Sequence, residues 1–201
     1  MTGGVMTAAP LSVVGILMAA GRGRRFDPAG QRNKLLQPLA DAGGMPVVAA
    51  SARKLLAAVP RVVAVVPPGD GGVAALLADL GCEVAVCPDA DSGMAASLTH
   101  AIRHSLPDAD AWLVALGDMP HVAPATLAAL AAALAGGVPI VAPVMDGKRG
   151  NPVGFGRLHL DTLLALEGEQ GARRLLQTCP VTEIPVDDMG IFRDIDTPDD
   201  L

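Results

Sequence analysis

The apolar residues of this chain fall into short continuous blocks separated by proline, glycine and charge, rather than alternating singly. Leu11 to Ala19 is the first block and predicts a buried strand. Arg61–Val66, Glu83–Val86, Ala111–Leu116 and Val138–Ala142 repeat the signature, each closed by a nearby glycine or proline. Between them lie stretches of helical composition: Met45–Ala58, Gly72–Leu80, Met94–Leu106 and Pro124–Ala135. The last has proline at its start and Gly136-Gly137 past its end, the asymmetry expected of a helix. Alternating strands and helices imply right-handed crossovers and a mostly parallel sheet covered on both faces. The predicted fold is α/β, a three-layer α/β/α arrangement around a Rossmann-like sheet.

After Pro143 the rhythm changes. Asp146 to Pro152 is a polar, glycine-rich loop, followed by short helical stretches around Leu158–Leu166 and Ala172–Leu176. Thr182–Val186 and Phe192–Ile195 predict late strands, and Thr197-Pro198-Asp199-Asp200 a terminal turn or helix. Residues 1–10 read as a flexible leader. With no internal repeat or low-complexity linker, residues 11–201 read as a single domain.

Composition narrows the function classes. Of 201 residues 51% are hydrophobic but only 2% aromatic, so the core is built from Ala, Val, Leu, Ile and Met. Single-stranded nucleic-acid binding, which uses aromatic stacking platforms, is disfavoured. A net charge of −6 supplies no global attraction for nucleic acid or anionic lipid. No stretch is long enough to span a bilayer without a charge or proline, and the N-terminus lacks the charge order of a signal peptide. Cys82, Cys87 and Cys179 are not spaced as a metal or redox motif and read as buried reduced thiols. A cytoplasmic location is expected.

Positive charge is instead local. The first strand runs into Ala19-Ala20-Gly21-Arg22-Gly23-Arg24-Arg25, with Lys34 shortly after. Glycine turns at strand ends offer main-chain N–H groups to an anion, and arginine and lysine add charge, so this segment is a candidate polyphosphate cradle. It lacks the third glycine of a dinucleotide fingerprint and the Gly-Lys-Ser/Thr of a Walker loop. Asp118, in Gly117-Asp118-Met119-Pro120, stands where another strand leaves the sheet. It is a candidate for a hard cation bridging phosphate oxygens. Asp194 and Asp196 share one face if Phe192–Ile195 is a strand, and face a metal in that case. Alternatively Asp196 or Thr197 caps the final turn. His100 and His104 lie four apart on a helix, but without the intervening glutamate of a metalloprotease.

Taken in order, Ala19 to Arg25 with Lys34, Gly93-Met94-Ala95-Ala96-Ser97-Leu98, Gly117 to Pro120, Arg149-Gly150-Asn151-Pro152-Val153 and Asp194-Ile195-Asp196-Thr197-Pro198 resemble the molybdenum cofactor cytidylyltransferase family. That family belongs to the nucleotidyltransferases related to molybdopterin guanylyltransferase, and the likeness runs from about Val14 to Leu201. The resemblance implies a nucleotidyltransferase sheet and transfer of a nucleoside monophosphate from an NTP to a phosphorylated acceptor, with Mg²⁺. An Ala-Ala-Gly opening resembles cytidylyl-transferring members and favours CTP. It implies a phosphorylated pterin carrying molybdenum as acceptor, and a molybdoenzyme maturation partner.

Arg25, Lys34 and Asp118 are then the candidate catalytic residues. Ala19, Ala20, Gly21, Arg22, Gly23, Arg24, Gly93, Ser97 and Gly117 are candidates for the nucleotide, and Arg149 and Asn151 for the acceptor. Asp118 with Asp194 or Asp196 is the candidate metal set. The loop Asp27 to Asn33 is longer than in many members, and Glu169 replaces a common aspartate. Competing readings are guanylyl or other NTP transfer to a different phosphorylated acceptor, a regulatory nucleotide binder, and a dinucleotide-binding oxidoreductase. The last would use Asp41, about 20 residues beyond the glycines, to hold a ribose.

Overall fold

The computed structural model describes residues 11–23, 25–168 and 171–201. The expected leader, residues 1–10, and Arg24 lie outside the described residues. Strand β1 (Val13–Met18) is followed by a small antiparallel pair, β2 (Pro38–Leu39) and β3 (Met45–Pro46), and then helix α1 (Val47–Ala58). The alternation continues through β4 (Arg61–Val66), α2 (Val73–Asp79), β5 (Glu83–Val86) and α3 (Met94–Ser105). Next come β6 (Ala111–Leu116), α4 (Pro124–Ala135) and β7 (Ile140–Met145). The chain closes with β8 (Lys148–Arg149), β9 (Val153–Gly156), α5 (Leu160–Leu164), α6 (Arg173–Thr178) and β10 (Thr182–Pro185).

The main sheet has the order β10-β7-β9-β6-β1-β4-β5, with β8 pairing on β7. β1 is parallel to both β4 and β6, and the β4–β5 and β7–β10 pairs are parallel too. The sheet grows from β1 outward through β4 and β5, then returns to the other side of β1 with β6. This reversal opens a crevice beyond the carboxyl ends of β1 and β6, the position where open α/β sheets bind ligands.

Period-two alternation along β1 splits its side chains between two layers. Val13 and Leu17 pack with α1, α2 and α4, whereas Val14 and Ile16 pack with α3, α5 and α6. Because both faces are dry, the strands read as continuous apolar runs in the sequence. Trp112 on β6 sits beside Phe155 on β9, both fully buried. The indole Nε1 donates to Ser105 Oγ at 2.8 Å, so no polar atom is stranded there. Truncating either ring costs about 3–5 kcal/mol. Cys82 and Cys87 are buried while Cys179 is only partly so, and all three are free. Burial pushes the Cys82 thiol up to about 11. Among the described residues no helix is long and apolar enough to cross a membrane.

Three elements depart from the sequence expectation. The strand expected at Val138–Ala142 lies at Ile140–Met145, and β9, for which the sequence predicted no strand, inserts antiparallel between β6 and β7. Its glycines hide the strand pattern, yet Gly154 is there for space. A Cβ would stand 2.7 Å from Leu134 Cδ1 and Val141 Cγ1. The strand expected at Phe192–Ile195 is absent: Met189–Phe192 forms a short 3₁₀ turn, and the following segment lies over loops rather than in the sheet. Ile195 N donates to Asp118 O at 2.8 Å and Asn151 N to Ile191 O at 3.0 Å, fastening this strap across the carboxyl end of β6. Thr197 caps the final turn reciprocally with Asp200, the alternative that the sequence left open.

Candidate active site

The turn after β1 is shaped around Lys34. Gly23 has φ +60°, and a Cβ there would come within 3.3 Å of Lys34 Cγ, so glycine lets the lysine stem pass against the turn. Asp27 organises the long loop that follows. Its carboxylate accepts hydrogen bonds from the main-chain N–H groups of Ala29, Gln31 and Arg32 at 3.1, 2.8 and 2.7 Å. These bonds, that from Arg32 foremost, hold the Asp27 carboxyl below its ordinary value. Asn33 then caps the turn bearing Lys34, accepting from Leu35 N at 3.0 Å, and anchors it to Asp70 O at 2.9 Å. The unusual loop is therefore the scaffold of Lys34.

Lys34 reaches across the crevice. Its Nζ lies 2.6 Å from Asp118 Oδ2 and 3.7 Å from Asp196 Oδ1, and donates to Ile195 O at 3.0 Å. Arg25 pairs with the other oxygen of Asp196. Arg22 forms a two-pronged pair with Asp91, with Nε 2.6 Å from Oδ1, and the carboxylate raises the guanidinium's pKa further. Arg22, Arg25, Lys34, Asp91 and Asp118 line a cavity of about 450 Å³ together with Ala20, Gly21, Gly23 and Gly93 among others, while Asp196 stands behind Lys34 and Arg25 and is not part of that lining. A cavity of this size suits a small ligand.

Other candidates are placed elsewhere. Ala19 is buried and does not line the cavity; its N–H extends the pairing with β4 by donating to Val65 O at 2.9 Å. Ser97 is 2% exposed on the inner side of α3, away from the cavity lining. Gly117 does not line it either, and its carbonyl accepts from Ser51 Oγ at 3.0 Å. Arg24 lies outside the described residues. Asp194 parts company with Asp196: it borders a separate hollow of about 220 Å³ with His121, Arg193 and Asp200. The expectation that the two aspartates share a strand face fails because no strand forms there. Arg149 and Asn151 line a second cavity of about 670 Å³, which shares Met18, Met94 and Leu116 with the first.

Sequence reasoning missed Asp91 and His121. Asp91 follows β5 in the acidic run Asp89-Ala90-Asp91, a strand-end position that could have marked it. His121 Nε2 is buried without a partner, and Nδ1 is 3.6 Å from Asp41 Oδ2. Burial, then Arg193, lowers its pKa. Asp41 itself is an exposed residue between β2 and β3, off the cavity wall, so it is not placed to hold a ribose.

Do these residues fit a divalent cation? Asp118 and Asp196 converge on one cationic point, now taken by the Lys34 ammonium. Among the described residues, three cations (Arg22, Arg25, Lys34) meet three carboxylates (Asp91, Asp118, Asp196), so the formal charges of this set cancel. Two converging carboxylates are the donor set that Mg²⁺ takes from a protein when phosphate and water supply its remaining oxygens, so the residues fit such an ion. No group of three or more acidic, His or Cys ligands exists among the described residues.

A mostly parallel α/β sheet with a cationic crevice at its switch point belongs to the class of folds that bind phosphorylated ligands at the carboxyl ends of their strands. Residues 15–184 match the model of the MobA-like NTP transferase domain. The chain belongs to that family and is a nucleotidyltransferase. No curated protein sequence matched it. Its fold resembles the crystal structure of Rv0371c from Mycobacterium tuberculosis H37Rv, with a TM-score of 0.80, 30% identity, and 94% and 95% of the two chains covered. The structure of Rv0371c complexed with manganese gives 0.75, 28%, 94% and 95%. A nucleotidyl transferase from Methanothermobacter thermautotroptrophicus gives 0.75, 25%, 94% and 94%.

Proposed function

We propose that residues 11–201 form a single cytoplasmic domain that moves CMP from CTP onto the terminal phosphate of a pterin-type molybdenum cofactor, releasing pyrophosphate. The observation that carries this reading is Lys34 held between Asp118 and Asp196, against a glycine-edged cavity of about 450 Å³. An oxygen of the acceptor phosphate attacks the α-phosphorus in line. The bond to the bridging β-oxygen breaks, and pyrophosphate departs with its electron pair. No side-chain nucleophile is needed; the protein positions the reactants and neutralises charge.

Lys34 and Arg25 leave their aspartates for the triphosphate, with Arg22 and the N–H groups around Gly21 and Gly23 adding to the cradle. Gly93 also lines that cavity, which supports its role beside the nucleoside. Arg149 and Asn151 line the acceptor chamber. Asp118 and Asp196 are the residues that would hold Mg²⁺, which when bound supplies Lewis acidity and a template for the phosphates. Support for a divalent ion comes from the manganese complex of the mycobacterial relative. CTP is favoured by Ala19-Ala20-Gly21, since the resembled guanylyl-transferring enzymes open with Ala-Gly-Gly.

Pyrophosphate release measured with CTP, GTP and ATP, with and without the molybdenum cofactor, tests the reading. Cofactor-dependent release from CTP is expected. Release from GTP alone reverses the base assignment, and release indifferent to the cofactor removes the pterin acceptor.

A further inference from the structure

The second cavity contains an arginine that the sequence did not single out. Its floor is apolar, formed by Met18, Met94, Leu98, Val114, Leu116 and Leu176, and its wall carries Arg149 and Arg173. The two arginines differ in what already occupies them. Arg149 donates from Nε to Glu183 Oε1 at 2.6 Å and from Nη1 to Leu176 O at 3.0 Å. Its charge is offset and its fork is partly spent on tying β8 to β10. Arg173, the first residue of α6, is exposed and makes no hydrogen bond or ion pair with any described residue. A guanidinium free to present both prongs beside an apolar floor is suited to two oxygens of a phosphate.

Its place in the molecule adds direction. Gly171, two residues earlier, lies against Met94: a Cβ there would stand 3.2 Å from its Sδ. Met94 also lines the nucleotide cavity, so α6 begins at the boundary between the two chambers. Ala95 N donates to Gly168 O at 3.1 Å, fastening the approach to α6 onto the start of α3. Methionines adapt to flat rings and make favourable sulfur–aromatic contacts.

We propose that Arg173, rather than Arg149, is the anion anchor of the acceptor chamber, gripping the phosphate of a molecule whose flat body lies on Met18 and Met94. This deepens the transferase reading and rests on it in taking the second cavity as the acceptor's. The probe is 4-methylumbelliferyl phosphate, a flat aryl phosphomonoester, compared with phosphate-free 4-methylumbelliferone. Binding to the full chain saturated with α,β-methylene-CTP and Mg²⁺ is followed by fluorescence. Wild type should prefer the phosphate by about tenfold or more. Arg173→Ala and Arg173→Gln should reduce that preference to within about twofold while nucleotide affinity stays unchanged, and Arg173→Lys should restore part of it. No phosphate preference in wild type, or its persistence in Arg173→Ala and Arg173→Gln, overturns the proposal. A parallel titration with 6-hydroxymethylpterin phosphate separates the two readings. If it binds no more tightly than the aryl phosphate while both depend on Arg173, the pterin acceptor falls and the anchor stands.

Discussion

Replacing Lys34 by methionine isolates the charge at the centre of the site. Methionine keeps an apolar stem against Gly23, whose nearest neighbours are Lys34 Cγ and Cδ, so packing is retained while the ammonium is lost. Three interactions disappear together: to Asp118 at 2.6 Å, to Asp196 at 3.7 Å and to Ile195 O at 3.0 Å. With an effective dielectric of about 20, each ionic contact has a gross Coulomb energy of about 4–6 kcal/mol. Lys34 is only 8% exposed, so desolvation of the ammonium offsets much of that gain. The aspartates are partly solvated, which screens the remainder, and a net loss of about 2 kcal/mol is expected on urea unfolding. Turnover should fall on the order of 10²–10³-fold.

The same variant leaves Asp118 and Asp196 facing a gap with no cation between them. Manganese should then raise the melting temperature of Lys34→Met more than that of wild type, because the metal binds the folded carboxylate pair and not the unfolded chain. Adding Asp118→Asn to Lys34→Met removes one of the opposed charges, so the double variant should be less unstable than the sum of the singles by about 1–2 kcal/mol. Stabilities that add to within about 0.5 kcal/mol refute the coupling. Near-wild-type turnover in Lys34→Met refutes its place in the chemistry.

Further outcomes follow from neighbouring groups. Asp118→Asn should lower divalent-dependent pyrophosphate release on the order of 10²–10³-fold. It should leave the fold intact by circular dichroism, since Asp118 holds the C-terminal strap through its main-chain oxygen rather than its side chain. Gly190→Ala puts a Cβ 2.2 Å from His121 O, a backbone atom that cannot rotate away, so the strap must lift. A loss of about 2–3 kcal/mol in urea and a parallel loss of turnover are expected, because the strap carries Asp196. The Asp27 carboxyl lies below its ordinary value of 3.8, so its contribution to the Lys34 loop is complete above that value and is lost as pH falls through the lower folded one. Amide NMR shifts of Ala29, Gln31 and Arg32 should move together below about pH 4, and Asp27→Asn should abolish that transition.

The parallel half of the sheet was legible because its physics is local to each segment. Strands buried on both faces must be apolar throughout, as Arg61–Val66 and Ala111–Leu116 are, and their ends must turn at glycine or proline. The cationic turn was legible for a related reason: Gly23 and Lys34 are residue types chosen by geometry and charge rather than by pattern. β9 was not, since Gly154 answers to close packing against α4 and β7, and with Gly156 it erases the alternation that would announce a strand. The separation of Asp194 from Asp196 was also hidden. It depends on main-chain bonds from Ile195 to Asp118 and from Asn151 to Ile191, which leave no periodic mark in the side chains.

Those same bonds explain why the site is assembled from both ends of the chain. Asp196 reaches Lys34 only because Gly190 lies flush against His121 and Asp188 grips the start of α4, accepting from Ala123 N at 2.8 Å and Thr126 Oγ1 at 2.6 Å. Asp188 also accepts from Gly190 N at 2.9 Å, so one buried carboxylate fixes both the strap and the loop it crosses. The N-terminal half supplies the cations and the strap returns one of their counter-charges. The two aspartates therefore differ in origin, Asp118 standing where β6 ends and Asp196 coming from the strap. Asp196, facing Lys34 with one oxygen and Arg25 with the other, is held by charge from two sides, whereas Asp118 meets the Lys34 ammonium directly at 2.6 Å.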